Sequence, residues 1–210
     1  KLRPTFHGDD TKIGHVDHNL RFWGSEAVFE DPAYVSGEEM RKLLLDHRHF
    51  SELYGEDVAE KKPLLLEVEG ESGLRIREFE GKLSASHDDH TVACLTEVGT
   101  PLNYPVVTPD RETTFRDLVE QSLRDFSLNQ AEYEWSTLIY ALFIKDVASW
   151  KTSEGQEVSF DLLADRIMRQ KMPQGVCMGN HRLHALVMLL RVDEQWDGPT
   201  PMLSSGKRAE

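Results

Sequence analysis

The sequence predicts a mainly α fold made of helical hairpins, with one β-hairpin near residues 63–80. Two observations support this prediction: apolar residues recur at helical spacing along most of the chain, and one stretch alternates with period two. The 210 residues are enough for one sizeable core. We therefore expect a single domain over residues 1–197, with the hairpin as an insertion. Residues 198–210, which contain two Pro, two Ser and one Lys, predict a flexible tail.

Local signals define the first elements. A short helix over 15–23 is predicted to open at Gly14 and to stop at Gly24. The next helix begins where residues 36–39 read Ser-Gly-Glu-Glu, a capping box that precedes an apolar face. The hairpin at 63–80 follows, because two alternating stretches flank a turn that contains two glycines.

The rest of the chain predicts five more helices. They cover residues 86–98, 114–126, 129–149, 160–171 and 181–193. Prolines at 101, 105 and 109 force an extended connection between the first two of them. Ser159 and Asn180 are the expected caps of the last two. The 129–149 helix is apolar over more than half of its circumference, so we expect it to be the central, buried helix.

The charge balance limits the classes of partner. The chain has 24 basic and 37 acidic residues and a net charge of −13, so nucleic acid and anionic membrane surfaces are poor partners, whereas metal ions and cationic groups fit. No apolar run approaches the roughly 18 residues of a membrane span. The compartment stays open between the cytoplasm and, after processing, the periplasm or the cell exterior. Cys94 and Cys177 could be buried thiols, one bridge or soft metal ligands.

Six of the nine histidines form three copies of the pattern His-x-x-His. Composition alone predicts about 0.4 such pairs. The pairs are His15 with His18, His87 with His90, and His181 with His184. Each pair follows Gly, Ser or Asn, residues that favour the start of a helix. If those residues are caps, the two imidazoles of a pair occupy the first and fourth helical positions and project from one face.

This spacing suits a metal site, because two imidazoles on one helical face can bind one divalent ion. The predicted ligands are His87, His90, His181, His184 and Cys177, with His15 and His18 as secondary candidates. The partial positive charge of a helix start favours the neutral imidazole, which is the form that binds metal. Zinc is the expected ion, and copper is conceivable because four methionines lie near the third pair in the sequence.

Three acidic residues lie in the same predicted first turns. Asp17, Asp88 and Asp89 could accept hydrogen bonds from imidazoles and so fix their tautomers; the last two are the predicted outer partners of the metal site. A purely structural explanation of the histidines stays open, because such residues also bond nearby carbonyls, and three copies can record a duplicated packing helix. His47 and His49 are interpreted as complements to the dipole at the C-terminal end of a charged helix.

Helices that begin with a small residue and a histidine, and that alternate with longer packing helices, resemble the α/α-toroid proteins. This group includes the terpenoid-cyclase-like and lanthionine-cyclase-like folds. Residues 175–181, Gly-Val-Cys-Met-Gly-Asn-His, are similar to the Gly/Cys/His zinc loops of the latter. The resemblance covers residues 84–193 and implies that inner-helix starts line a central cavity. It implies no catalytic residue here, since the acidic cluster of the terpenoid cyclases is missing.

These observations predict a metal-dependent enzyme in which a histidine-lined pocket activates water or a thiol, with substrate and catalytic residues unassigned. The alternative is a non-catalytic binding module, or a subunit of a larger complex, with structural histidines. An enzyme predicts a concave pocket that gathers the pairs, whereas a binding module predicts a large exposed apolar patch. In either case the partner is a small molecule or another protein.

Overall fold

The computed structural model describes residues 3–68, 73–169 and 179–210. Within these ranges it contains ten α-helices and three two-stranded antiparallel sheets. The prediction of a mainly α fold with a small β-hairpin is therefore confirmed. The chain divides into two compact units, Lys1–Ser122 and Leu123–Glu210. The single domain over 1–197 stays a prediction.

The first unit is built from helices that pack around α1. Its elements are a 3-10 turn at Gly8–Asp10, α1 Ile13–Trp23, α2 Gly37–Leu45, α3 His47–Tyr54, α4 Glu56–Lys61, β1 Leu65–Glu67, β2 Leu74–Ile76, α5 His90–Glu97, β3 Pro105–Val107, β4 Glu112–Thr114 and α6 Phe115–Asp125, which runs past the boundary. α1 packs against both α2 and α5. This arrangement brings residues that are far apart in the sequence to one helix–helix contact.

The beginning of α2 confirms the predicted serine cap. Ser36 Oγ accepts a hydrogen bond from the Glu39 N–H at 3.2 Å. The helix starts against the end of α1, because a Cβ at Gly37 would lie 2.1 Å from the Gly24 carbonyl oxygen. Gly37 is therefore needed for the close approach of two backbones. α1 itself ends at Gly24, as predicted.

The interpretation of His47 and His49 as C-terminal dipole complements is wrong. α3 begins at His47, so both residues lie in the first turn of a new helix. Asp46 caps that helix, because its Oδ1 accepts a hydrogen bond from the Arg48 N–H at 2.9 Å. The carboxylate of Asp46 also lies 3.4 Å from His49 Nδ1. Asp46 thus separates α2 from α3, which the sequence predicted as one helix.

The predicted hairpin is confirmed by β1 and β2, in which Leu65 is paired with Ile76. Its base is held by the buried side chain of Arg77. The guanidinium of Arg77 donates hydrogen bonds to the carbonyls of Pro63 at 2.8 Å and Leu83 at 2.9 Å. Because Leu83 belongs to the loop that follows the hairpin, this buried arginine fixes that loop to the hairpin.

The second unit consists of helices that pack around α7. Its described elements are α7 Glu134–Phe143, β5 Trp150–Lys151, β6 Glu157–Val158, α8 Phe160–Arg169, α9 Asn180–Gln195 and α10 Ser205–Ala209. α7 packs against α8 and α9, and all but its last two residues are buried. The prediction that this helix is buried is confirmed.

α7 is shorter than the predicted helix over 129–149. Ser127 begins a turn, since its Oγ accepts a hydrogen bond from the Asn129 N–H at 3.1 Å. Such side-chain bonds compete with helix formation and delay its start. At the other end, Trp150 lies in the β5–β6 hairpin and packs between the rings of Tyr140 and Phe160. The turn and the hairpin explain the shorter helix.

The last residues of the chain contact the second unit. Asp193 on α9 accepts hydrogen bonds from the backbone N–H groups of Met202 at 2.8 Å and Leu203 at 3.1 Å. Both of these side chains are buried. Flexibility of residues 198–210 stays a prediction. Across the described ranges, the structure has no helix with the length and apolar character needed to cross a membrane.

Candidate metal centre

The candidate site begins with a buried carboxylate on α1. Ile13, Val16 and Leu20 form the apolar face of this helix, each at most 1% exposed. Asp17 lies on the same face and its side chain is 0% exposed. An ionised carboxylate in such a place must be compensated by cations or hydrogen-bond donors. Asp17 is therefore the residue around which the site is built.

One oxygen of this carboxylate faces the next residue in the sequence. Asp17 Oδ1 lies 2.7 Å from Nδ1 of His18. The His18 side chain is 51% exposed, so it links the buried carboxylate to the surface of the protein. His18 was a secondary candidate in the sequence, and the structure places it beside a carboxylate.

The other oxygen faces α5. Asp17 Oδ2 lies 3.2 Å from Nδ1 of His90 and accepts a hydrogen bond from Thr91 Oγ1 at 3.1 Å. His90 and Thr91 are each 1% exposed. The rings of His18 and His90 are 5.0 Å apart between centroids. The contact between α1 and α5 thus brings together two histidines that are 72 positions apart in the numbering.

Asp17, His18 and His90 form a group that could hold a metal ion, since one ligand atom from each lies within 4.8 Å of the others. Two imidazoles and one carboxylate are a donor set that zinc and several other divalent metals accept. No other group of three His, Cys, Asp or Glu residues meets this distance in the ranges that the structure describes. From the sequence, Asp17 was predicted only to accept hydrogen bonds from imidazoles.

Interactions within the group favour the charged forms of both Asp17 and His18. Burial acts to raise the pKa of Asp17, but hydrogen bonds and charge interactions with His18 and His90 outweigh it and hold that pKa well below its usual value. The hydrogen bond to Asp17 raises the pKa of His18 above its usual 6.5, against the opposing effect of burial. The carboxylate is therefore ionised at neutral pH, and the site attracts positive charge.

Cys94 lies next to the group but does not supply a thiolate. Its Sγ is 3.7 Å from His90 Nε2. Complete burial raises the pKa of the Cys94 thiol well above its usual value, so the sulfur stays protonated. A thiol that donates to Nε2 is consistent with a His90 ring whose Nδ1 points at Asp17.

His87 lies outside α5, and the predicted helix start at residue 86 is wrong. The N-cap of α5 is Asp89, which has a positive φ of 58°. Its N–H donates to Glu78 Oε1 at 2.8 Å, and its Oδ2 accepts from Ser122 Oγ at 2.8 Å. These bonds hold the preceding residues in a turn. The His87 ring still lies 5.7 Å from the His90 ring, so the pair is close without sharing a helix.

Asp88 and Asp89 belong to a second, carboxylate-rich cluster with Glu78. Burial is the main reason why the pKa of Glu78 is raised to about 8. The charges of Asp89 and Asp88, and a hydrogen bond to Asp88, act in the same direction. A protonated Glu78 can donate to a neighbouring carboxylate. The role of Asp88 and Asp89 as hydrogen-bond acceptors for metal-bound imidazoles stays a prediction.

The third histidine pair lies in the second unit. α9 begins at Asn180 after Gly179, which has a φ of 82°, so the predicted cap at Asn180 is shifted by one residue. The His181 ring packs on the Trp135 ring at 4.6 Å between centroids, and His184 lies one turn further along α9. A site that combines these histidines with His87 and His90 stays a prediction. Cys177 lies outside the described residues.

An open cavity of about 950 Å³ lies beside His18. Its walls are the first turns of α1, including His15 and Asn19, and the loop at 79–86. His15 is exposed and also lines an adjoining cavity of about 240 Å³. Half-exposed His18 therefore connects the buried group to a space that is large enough for a small molecule.

The buried aspartate is the residue that sequence reasoning undervalued. Its signal was its position among Ile13, Val16 and Leu20 on one helical face, where a charged residue needs partners.

The chain was compared with family models, curated proteins and solved structures, and none of them matches it. The chemistry of the site is therefore inferred from its geometry alone.

Proposed function

We propose that the protein is a metal-dependent enzyme that holds one divalent cation, with zinc as the first candidate, at Asp17, His18 and His90. The observation that carries this proposal is that each oxygen of one buried carboxylate faces the Nδ1 atom of a different histidine, at 2.7 Å and 3.2 Å. Because these three groups converge from two helices, they offer a divalent ion a carboxylate and two imidazoles at one point.

The charge of the group favours a cation over an empty cluster. The low pKa of Asp17 keeps a negative charge inside the first unit, and a proton on His18 compensates it in the absence of metal. A divalent ion replaces that proton and adds charge. Nitrogen and oxygen donors suit zinc, whereas Cys94, with its raised pKa, offers copper no thiolate.

The surroundings supply the rest of an active site. Zinc held by Asp17, His18 and His90 would supply Lewis-acid activation of water or a thiol. The cavity beside His18 gives a substrate access from that side. His15 lines the same cavity and is exposed, so it is placed to accept or return a proton during such a reaction. The hydrogen bond from Thr91 Oγ1 to Asp17 Oδ2 helps to fix the orientation of the Asp17 carboxylate.

The test uses the third histidine pair as a matched control. Metal content is measured by elemental analysis, and zinc affinity by titration calorimetry, in the wild type, in His18→Gln/His90→Gln and in His181→Gln/His184→Gln. We expect about one zinc per chain in the wild type and in His181→Gln/His184→Gln. In His18→Gln/His90→Gln we expect the zinc affinity to fall about a hundredfold. Both variants lose two histidines, so a change in histidine count alone predicts equal effects.

Two results would overturn the proposal. One is a wild type that takes up no zinc, and the other is equal zinc binding by all three proteins. Circular dichroism checks the fold of each variant. If His18→Gln/His90→Gln does not fold, the single variant His18→Gln serves, because His18 is half exposed and its replacement leaves the core intact.

One observation favours the second candidate, a non-catalytic binding module. Phe22 and Trp23, the last two residues of α1, are exposed by 60% and 42%, and Val28, five residues further along the chain, is exposed by 86%. An apolar surface of this kind is typical of a site that contacts another protein. If the protein is a binding module of this kind, we expect it to contain no metal and its thermal stability to be unchanged by zinc. Melting curves with and without zinc test this.

A further inference from the structure

The loop that follows the β1–β2 hairpin holds Phe79 in an unusual backbone conformation. Phe79 has a φ of 56°, in the left-handed region that bulky side chains rarely adopt. Its side chain is also 65% exposed, more than that of any other phenylalanine, tyrosine or tryptophan in the described part of the chain. The backbone conformation and the exposed ring are both unfavourable for folding, so Phe79 is a candidate for a role in binding.

Backbone hydrogen bonds of the surrounding loop impose this conformation. The Phe79 N–H donates to the Ala85 carbonyl at 2.9 Å, and the Ala85 N–H donates to the Arg77 carbonyl at 2.8 Å. The loop is also fixed to α1, because the Ile13 N–H donates to the Lys82 carbonyl at 2.8 Å. None of these bonds uses the Phe79 side chain. The loop therefore holds the ring at one place without needing the ring for its own structure.

Phe79 lines the cavity of about 950 Å³ that adjoins the candidate metal centre. The exposed His15 and the half-exposed His18 line the same cavity, so three side chains with aromatic rings contribute to its walls. Walls of this kind interact favourably with the face or the edge of another aromatic ring. Among the described residues of the cavity none carries a carboxylate, whereas Lys12 carries a positive charge, and this balance disfavours a cationic ligand.

We propose that Phe79 determines the specificity of this cavity by packing against an uncharged aromatic ring of the substrate. That the ligand is a substrate of the metal centre rests on the proposed function, whereas binding of the ring does not. A ring in contact with Phe79 lies in the same cavity as His18, the half-exposed member of the metal group. The substrate class is a small neutral molecule that carries an aromatic ring, and the cavity has the volume for it.

A small aromatic molecule fits this site better than an aliphatic molecule or a protein surface does. Pairs of aromatic rings attract each other by more than the burial of their area provides, whereas an aliphatic group offers burial alone. Of the exposed large apolar side chains in the described ranges, Phe79 alone lines this cavity. A single ring inside a cavity suits a small molecule, because sites that contact proteins are broader apolar patches.

Three variants separate the ring of Phe79 from the fold. Phe79→Gly removes the ring and suits a φ of 56°, whereas Phe79→Tyr keeps an aromatic ring. Phe22→Ala is the matched control, because Phe22 is 60% exposed and does not line the cavity. We expect Phe79→Gly to melt at the wild-type temperature or above it, since glycine relieves the strained backbone. A clearly lower melting temperature would show that the ring serves the fold, and it would overturn the proposal.

The binding probes are benzamide and cyclohexanecarboxamide, which carry the same amide group on an aromatic and on a saturated ring. NMR titrations of metal-free and of zinc-loaded protein follow the Ala85 amide signal and the imidazole signals of His15 and His18. We expect benzamide to bind the wild type, Phe79→Tyr and Phe22→Ala with similar affinity, and Phe79→Gly about tenfold more weakly. Cyclohexanecarboxamide should bind the wild type about tenfold more weakly than benzamide does.

Three binding results would overturn the proposal: no benzamide binding, equal benzamide affinity in Phe79→Gly and the wild type, or equal wild-type affinity for the two probes. The outcomes for the metal and for the ring are separable. Benzamide binding without zinc uptake retains the ring site and removes the proposed metal-dependent function. Zinc uptake without benzamide binding retains the metal centre and removes this substrate class.

Discussion

The histidine pairs of the first unit and the pair on α9 share one sequence pattern but have different surroundings. In the first unit, Asp17 joins His18 to His90 through its two oxygens. α9 has no acidic residue in its first turn, and its His181 packs on Trp135. The spacing of the histidines therefore supplies pairs of imidazoles, and in the first unit a buried carboxylate joins members of two different pairs.

The starts of the helices differ in the same way. α2 begins with a serine whose side chain caps it, as its sequence predicts. α1, α5 and α9 begin without a side-chain cap. Their starts depend on residues from elsewhere, such as Glu78 for α5, or on a glycine, as for α9. Lack of a side-chain cap is not specific to histidine-bearing helices, because α4 and α7 also begin without one, whereas α3, which carries His47 and His49, is capped by Asp46.

The largest effect that separates the two regions is expected from Asp17→Asn. Removing one member of a buried ionic group leaves its partners uncompensated and should cost about 3 kcal/mol of unfolding free energy. Because the folded pKa of Asp17 lies below its unfolded value of 3.8, this contribution is present above pH 3.8 and is lost as the pH falls through the folded pKa. Urea unfolding at pH 7 and pH 3 measures both effects.

Asp10→Asn is the matched control for that measurement, since Asp10 is exposed. It should change stability by less than about 0.5 kcal/mol. Equal stability of Asp17→Asn and Asp10→Asn at pH 7 would show that the carboxylate does not hold α1 to α5.

The next effect concerns Glu78 and the start of α5. The pKa of Glu78 is raised to about 8 in the folded protein, above the ordinary 4.5, so its contribution to stability is fully present below pH 4.5 and is lost as the pH rises through 8. Glu78→Gln keeps the acceptor for the Asp89 N–H and removes the charge. We expect the variant to be about 2 kcal/mol more stable than the wild type at pH 9 and nearly equal to it at pH 4.5.

Melting curves of both proteins across this pH range measure the difference. A gap that does not change with pH would contradict a raised pKa at Glu78. Glu60→Gln provides the control, because Glu60 is an exposed glutamate on α4.

A smaller effect compares two serines that the sequence treated alike. Ser36 caps α2, whereas Ser86 precedes a turn and caps no helix. Ser36→Ala should therefore cost about 1 kcal/mol of unfolding free energy, and Ser86→Ala should cost only a few tenths. Denaturant unfolding of the two variants measures the contrast. Equal losses would indicate that Ser86 acts as a cap and that α5 begins as first predicted.

The smallest effect concerns the protonation of His18. Its pKa should lie above 6.5 by NMR titration, and it should fall back in Asp17→Asn, because the bond to Asp17 is the main cause of the shift. With a folded pKa above the unfolded value, His18 stabilises the protein below pH 6.5, and this is lost as the pH rises through the folded pKa. Since the ring is half exposed, the contribution is about 0.5 kcal/mol. An unshifted His18 would contradict the ionised pair.

Much of the fold could be predicted from the sequence. α1 and α6 agree with their predicted ranges to within two residues, and the helix of Ser36 and the hairpin at 63–80 are both present. Three of the failures share a cause. Asp46, Ser127 and Asp89 each form side-chain or turn bonds that break or delay a helix, and such bonds compete with a periodicity that continues through them. The short β3–β4 and β5–β6 hairpins were also missed.

The candidate site was predictable only in part. The repeated pattern drew attention to His18 and His90, and Asp17 was noted as a possible acceptor. Sequence spacing could not pair His18 with His90, because they are brought together by the packing of α1 on α5. Nor could it show that Cys94 is fully buried beside His90 or that His87 lies outside the helix.

The sequence alone determined the helical character, the acidity and the supply of imidazoles, because periodicity, charge and composition act locally along the chain. The tertiary structure decided which imidazoles meet and in what state of charge. A buried aspartate can hold its charge only where donors from another helix reach it, and that condition depends on how two helices pack.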